Sequence, residues 1–134
     1  MCGDIDDETG LDEELLARLT AHAGKYGALA SDGGAGLAAG FADETARAGY
    51  MSGLFRDSLC RALTDATATP QGSHADAIAS QAIVFARLAG FLAGHLPPGG
   101  DMFRSLVDAM MDGYKEPAEI AGKQHHDHSH RHDH

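Results

Sequence analysis

The sequence predicts an all-α fold, a small up-down bundle of about four helices with an acidic N-terminal leader and a flexible His-rich C-terminal tail. Three observations predict it. Apolar residues recur at spacings of three and four in four successive stretches. Segments dense in glycine or proline separate those stretches. No alternating strand pattern competes with them outside the tail. A chain of 134 residues, 43% of them hydrophobic, is one domain's worth and can close a single core. The expected division is a leader over 1–9, a bundle over 10–117 and a metal-binding tail over 118–134.

Seven acids (Asp4, Asp6, Asp7, Glu8, Asp12, Glu13, Glu14) and no base lie between residues 3 and 14. The later ones suit the positive end of a helix dipole, and Thr9 with Asp12 resembles a capping box. The first helix then carries Leu11, Leu15, Leu19, Ala23, Tyr26 and Ala30 on one face, and the run from Ser31 to Gly36 is expected to stop it. The second spans roughly Leu37 to Thr64, with Phe41, Ala48, Met51, Phe55, Leu59, Ala62 and Leu63 on a stripe. A loop containing Pro70 follows.

Ser73 with Asp76 opens the third helix, which is expected to reach about Leu96. Its apolar residues (Ile78, Ala82, Val84, Phe85, Leu88, Ala89, Phe91, Leu92) cover about half the circumference, wider than the ~100° stripe of a surface helix. That width predicts a central place in the bundle or in a dimer interface. Pro97 and Pro98 end it. The fourth, about Asp101 to Tyr114, is expected to bury Phe103, Leu106, Val107, Met110, Met111 and Tyr114, with Pro117 closing it.

The formal charge is −10, from 20 acids and 10 bases, and no basic patch is visible. Nucleic acid and anionic membrane are therefore not expected partners. No continuous apolar run reaches the ~18 residues of a membrane span, and no basic-then-apolar stretch opens the chain, so a cytoplasmic protein is expected. Asn is absent and Lys rare beside Arg, which with abundant Ala and Gly resembles the coding bias of a GC-rich bacterial genome. Cys2 and Cys60 form no disulfide framework. The opening Met1-Cys2-Gly3 resembles the start of N-terminal-nucleophile amidotransferases, but acidic, helix-patterned residues follow it in a chain too short for that domain.

The chemistry concentrates at the other end. His125, His126, His128, His130, His132 and His134 lie within ten residues, interleaved with Asp127, Ser129, Arg131 and Asp133. Neutral imidazole is the commonest protein ligand for zinc, nickel, copper and cobalt. In an extended chain, positions 126, 128, 130, 132 and 134 share a side. In a helix, 126/130/134 and 128/132 form i, i+4 sets on two faces. Either geometry gathers two or three nitrogens, with Asp127 or Asp133 as an oxygen ligand. The segment resembles the His-rich tails of bacterial nickel- and zinc-handling proteins such as hydrogenase and urease accessory factors. That resemblance spans these ten residues and implies metal binding, not a fold. A solvated low-complexity end and an unusual affinity tag are the competing readings.

Inside the bundle, Glu44 and Gln81 fall on otherwise apolar faces. A core-facing carboxylate would suit a bundle metal site, yet no Glu has His three residues on, as di-iron bundles require. Placement near a helix end, or pairing with Arg47 or Arg87, is the simpler expectation. His22, His74 and His95 read as structural, the last in a helix's final turn. Cys60 reads as a small core residue, and Met51, Met102, Met110 and Met111 as core filling. Gly34-x-Gly36-x-x-Ala39 lacks the preceding strand of a dinucleotide fingerprint. The leading expectation is a non-enzymatic protein that handles nickel, zinc or cobalt and associates with itself or a protein partner. An interaction or regulatory subunit with an incidental tail is the alternative. A small enzyme built on Glu44 ranks third.

Overall fold

In the computed structural model the chain is all-helical, with four helices and no strand among the described residues. The structure describes the backbone of residues 3–31 and 41–131 and the side chains of 10–31 and 41–123. In chain order the helices are α1 (Gly3–Gly24), α2 (Glu44–Ala68), α3 (His74–Ala93) and α4 (Met102–Arg131). The fold divides into two compact units, Met1–Leu88 and Ala89–His134.

In the first unit, α1 begins at Gly3, so Thr9 lies inside the helix and the expected cap there is not used. The stop also comes early. The Ala28 N–H donates to the Ala23 carbonyl (3.1 Å) and the Gly27 N–H to that of Gly24 (3.0 Å), the paired bonds of a Schellman ending. Gly27 holds φ +74°, where a side chain would be strained, so it ends the helix before the glycines that follow Ser31 are reached. Leu15, Leu19, His22 and Ala23 form the half-buried face of α1.

Residues 32–40, where the second helix was expected to open, lie outside the described residues. The helix is seen from Glu44, capped by Asp43, whose extended backbone lets its carboxylate accept the Ala46 N–H at 2.8 Å. At its other end Thr69 turns extended, and both its N–H (3.2 Å) and its hydroxyl (2.7 Å) donate to the Ala66 carbonyl. Pro70 and Gly72 (φ +95°) then reverse the chain into α3.

Contact between α2 and α3 is concentrated at this turn. Ala62, Ala66, Thr69, Ser73, Ala77 and Gln81 are buried or half-buried, and Ala66 is the one buried hydrophobic residue among those described. Farther out the same helical rows carry larger side chains that stay exposed. These are Met51, Phe55 and Leu59 on α2 and Phe85 and Leu88 on α3. The wide apolar face of α3 therefore does not give it a buried central place within this chain. Length and composition would also let α3 cross a membrane, a property core helices of water-soluble proteins share.

The second unit holds the end of α3, the Pro97–Gly100 turn and α4. Two expectations fail here. Pro117 does not close the fourth helix, which runs 30 residues to Arg131 with the proline inside it. Proline forbids one bond, to the Gly113 carbonyl, but the residues after it (Ala118, Glu119, Ala121, Lys123) are good helix formers and its own φ is helical. The apolar row of α4 is also not buried. Leu106 is half-buried, whereas Phe103 is 80% and Tyr114 88% exposed, because this unit offers no second long helix to cover them.

Candidate metal-binding segment

The continuation of α4 through Pro117 fixes the backbone of most of the histidine-rich segment. Positions 125, 126, 127, 128 and 130 lie on the last turns of the helix, while His132, Asp133 and His134 lie outside the described residues. The side chains of 124–131 are likewise outside them. The extended alternative for residues up to 131 gives way to the helical one.

Helical register sorts these positions into two rows. At ~100° per residue, 125 and 128 continue the row of Phe103, Val107, Met110, Tyr114, Ala118 and Ala121. Positions 126 and 130 continue the row of Asp108, Asp112, Lys115, Glu119 and Lys123, whose side chains are all exposed. One row is thus apolar until it reaches the histidines, and the other is charged. Each brings two histidine positions to within one helical turn, and Asp127 stands on neither row.

The helical body offers no comparable donor set among the described residues. Among the described residues no three His, Cys, Asp or Glu stand together as a metal site would need. The three histidines of the helical body have other work. His95 is 7% exposed, its Nδ1–H donating to the Phe91 carbonyl at 2.7 Å while its ring meets Phe91 edge-on at 4.9 Å. That bond ties the ring to the last turn of α3, where the unfilled carbonyls favour a donor. His74 Nδ1 lies 2.9 Å from the Ala66 carbonyl and 3.1 Å from Thr69 Oγ1, at the α2–α3 turn. His22 is half-buried in the last turn of α1.

Glu44 is exposed in the first turn of α2, where a carboxylate complements the helix dipole. It faces no core, as the helix-end expectation has it. Gln81 also spans two helices, its Nε2 donating to the Ala62 carbonyl at 2.9 Å. Cys60 is not the core residue expected but an exposed free thiol, and Met51, Met102, Met110 and Met111 are exposed as well. Cys2 lies outside the described residues.

Two contacts escaped sequence reasoning. Arg87 stacks over the Tyr26 ring (5.6 Å to the centroid) with its guanidinium 3.5 Å from the phenolic oxygen, and Phe41 meets Tyr50 at 4.8 Å. The first joins residues 61 positions apart, and periodicity carries no signal for such a pairing. No family model, curated protein or solved structure matches this chain.

Proposed function

We propose that this chain binds divalent transition-metal ions, nickel, zinc or cobalt, through His125, His126, His128, His130, His132 and His134, and that it stores or delivers them without catalysing a reaction. Asp127 and Asp133 serve as auxiliary oxygen ligands. The observation that carries the reading is the donor set itself: six imidazoles in ten residues, against no comparable cluster among the described residues elsewhere. An imidazole binds metal only when neutral, so affinity falls as acidification protonates the ligands.

Calorimetric titration of nickel, zinc, cobalt and copper(II) into the full chain and a chain lacking residues 124–134, at pH 7.5 and 5.5, tests it. Defined stoichiometry, with one metal out of the general affinity order and all binding lost on truncation or at pH 5.5, is the expected result. Weak binding that follows the general order in every respect would leave the tail without a selective role.

A second reading, an interaction subunit that completes its bundle by self-association, is favoured by a specific observation. Met51, Phe55, Leu59 and Leu63 on α2 and Ile78, Phe85, Leu88 and Leu92 on α3 are all exposed, Leu63 by 66%. Eight such side chains present roughly 800 Å², about one partner's share of a standard interface. A second copy of the same hairpin offers an equal surface, and pairing the two gives four packed helices in water. The up-down bundle is in this reading a property of the assembled cytoplasmic protein, and a GC-rich bacterium its source. Both readings hold together if the tail carries the metal and the helices carry the association.

A further inference from the structure

Helix α4 carries its large apolar residues in the pattern of a helix that packs against one other helix. Phe103, Val107, Met110 and Tyr114 follow one another at spacings of four, three and four, the seam positions of a two-stranded coiled coil. At ~100° per residue, every charged residue from Arg104 to Lys123 falls within an arc of about 120° on the opposite side. Phe103 is 80%, Val107 38%, Met110 56% and Tyr114 88% exposed. The seam is an apolar face that its own unit leaves in water.

A second copy of α4 complements this face when the two helices run antiparallel. With the two-fold axis midway between Val107 and Met110, Phe103 stands opposite the partner's Tyr114 and Val107 opposite the partner's Met110. Each pairing occurs twice, so aromatic rings meet at both ends and aliphatic side chains between them. The same register brings Arg104 within one residue of the level of the partner's Asp112, and Lys115 within one of the partner's Asp101. A parallel pair in register sets every acid level with its own copy and aligns the two helix dipoles. Charge therefore selects the antiparallel arrangement.

Phe103, Val107, Met110, Met111 and Tyr114 together hold roughly 600 Å² of exposed surface, somewhat less than the ~800 Å² that one partner gives to a standard interface. The span from Phe103 to Tyr114 is also shorter than the roughly three heptads that sustain a coiled coil alone. We propose that this seam of α4 pairs antiparallel with the same seam of a second copy, and adds to the hairpin contact rather than replacing it. This rests on the self-association reading above, and names a further helix surface that the partner covers and the direction in which the two copies of α4 run. Both pairings are two-fold, so a single dimer accommodates them.

Sedimentation equilibrium of the full chain gives the dimer dissociation constant. Phe103→Lys and Tyr114→Lys are each expected to raise it about tenfold or more. Far-UV circular dichroism of the dilute chain should not change, since both side chains already stand in water. Orientation is read independently from chains carrying Cys2→Ser and Cys60→Ser, oxidised with diamide. An equimolar mixture of Val107→Cys and Met110→Cys chains is expected to crosslink as mixed pairs in preference to like pairs. Like pairs forming as readily as mixed ones, or lysine variants that dimerise as the native chain does, overturn the α4 seam and leave hairpin association standing. A native chain that is monomeric at every concentration overturns both.

Discussion

The Ala66 carbonyl shows how much of the first unit hangs on a few polar atoms. It accepts from the N–H and hydroxyl of Thr69, and His74 Nδ1 lies within hydrogen-bond distance, so three groups converge where α2 ends. One turn earlier, the Ala62 carbonyl accepts from Gln81 across the hairpin. Gln81→Ala removes a side-chain hydrogen bond that joins α3 to α2 and is expected to cost about 1 kcal/mol, read as a lower denaturation midpoint. Asp43→Ala leaves the first N–H groups of α2 uncapped and is likewise expected to cost about 1 kcal/mol, with Asp43→Asn nearly neutral. That Gln81 stood out was legible from its place on an apolar row. Its partner, 19 residues away, was not, because side-chain periodicity says which face a residue occupies and nothing about what lies opposite. The exposed Arg61–Asp65 pair (3.1 Å) adds little, since water screens it.

Element boundaries followed local stereochemistry where it was strong and departed from expectation where two signals competed. The ends of α3 were read to within a few residues, since Pro97 and Pro98 admit no continuation. In α1 the expected stop was the glycine cluster, but Gly27 adopts the left-handed conformation first and completes both bonds of the helix ending. In α4 a proline competed with the helix formers flanking it, and the flanks prevailed. Pro117→Ala restores the missing donor to Gly113 and is expected to stabilise α4 locally by up to about 3 kcal/mol. Higher helicity by circular dichroism and slower amide exchange over residues 113–121 would show it. An unchanged exchange pattern would mean that the break at 117 persists without the proline.

At the scale of the whole chain, the notable quantity is apolar surface left uncovered. Phe55, Leu63, Ile83, Phe103 and Tyr114 are all more than half exposed, on every long helix after the first. Large apolar side chains left to water favour association, so the protein is expected to run above its 14.0 kDa mass in size-exclusion chromatography with light scattering. Its urea midpoint is expected to rise with protein concentration. Phe55→Lys and Leu63→Lys together should return it to a monomer. A native chain already at 14.0 kDa throughout would remove self-association from the account.

The sequence by itself determined the all-helical class and the six imidazoles of the tail. Apolar spacing depends only on the 3.6-residue turn, and imidazole's affinity for metal is a property of the side chain. It also distinguished small from large residues along α2 and α3. Only the tertiary structure decided that Ala62, Ala66, Ala77 and Gln81 make the contact while Phe55, Phe85 and Leu88 on the same rows do not. Only it decided that α4 passes through Pro117 and carries histidine positions 125–130 as one helix. The physical reason is the same in both cases. Periodicity ranks the faces of a helix, but which part of a face is covered, and where a helix with a proline in it ends, depend on balances of a few kcal/mol set by what else is within reach.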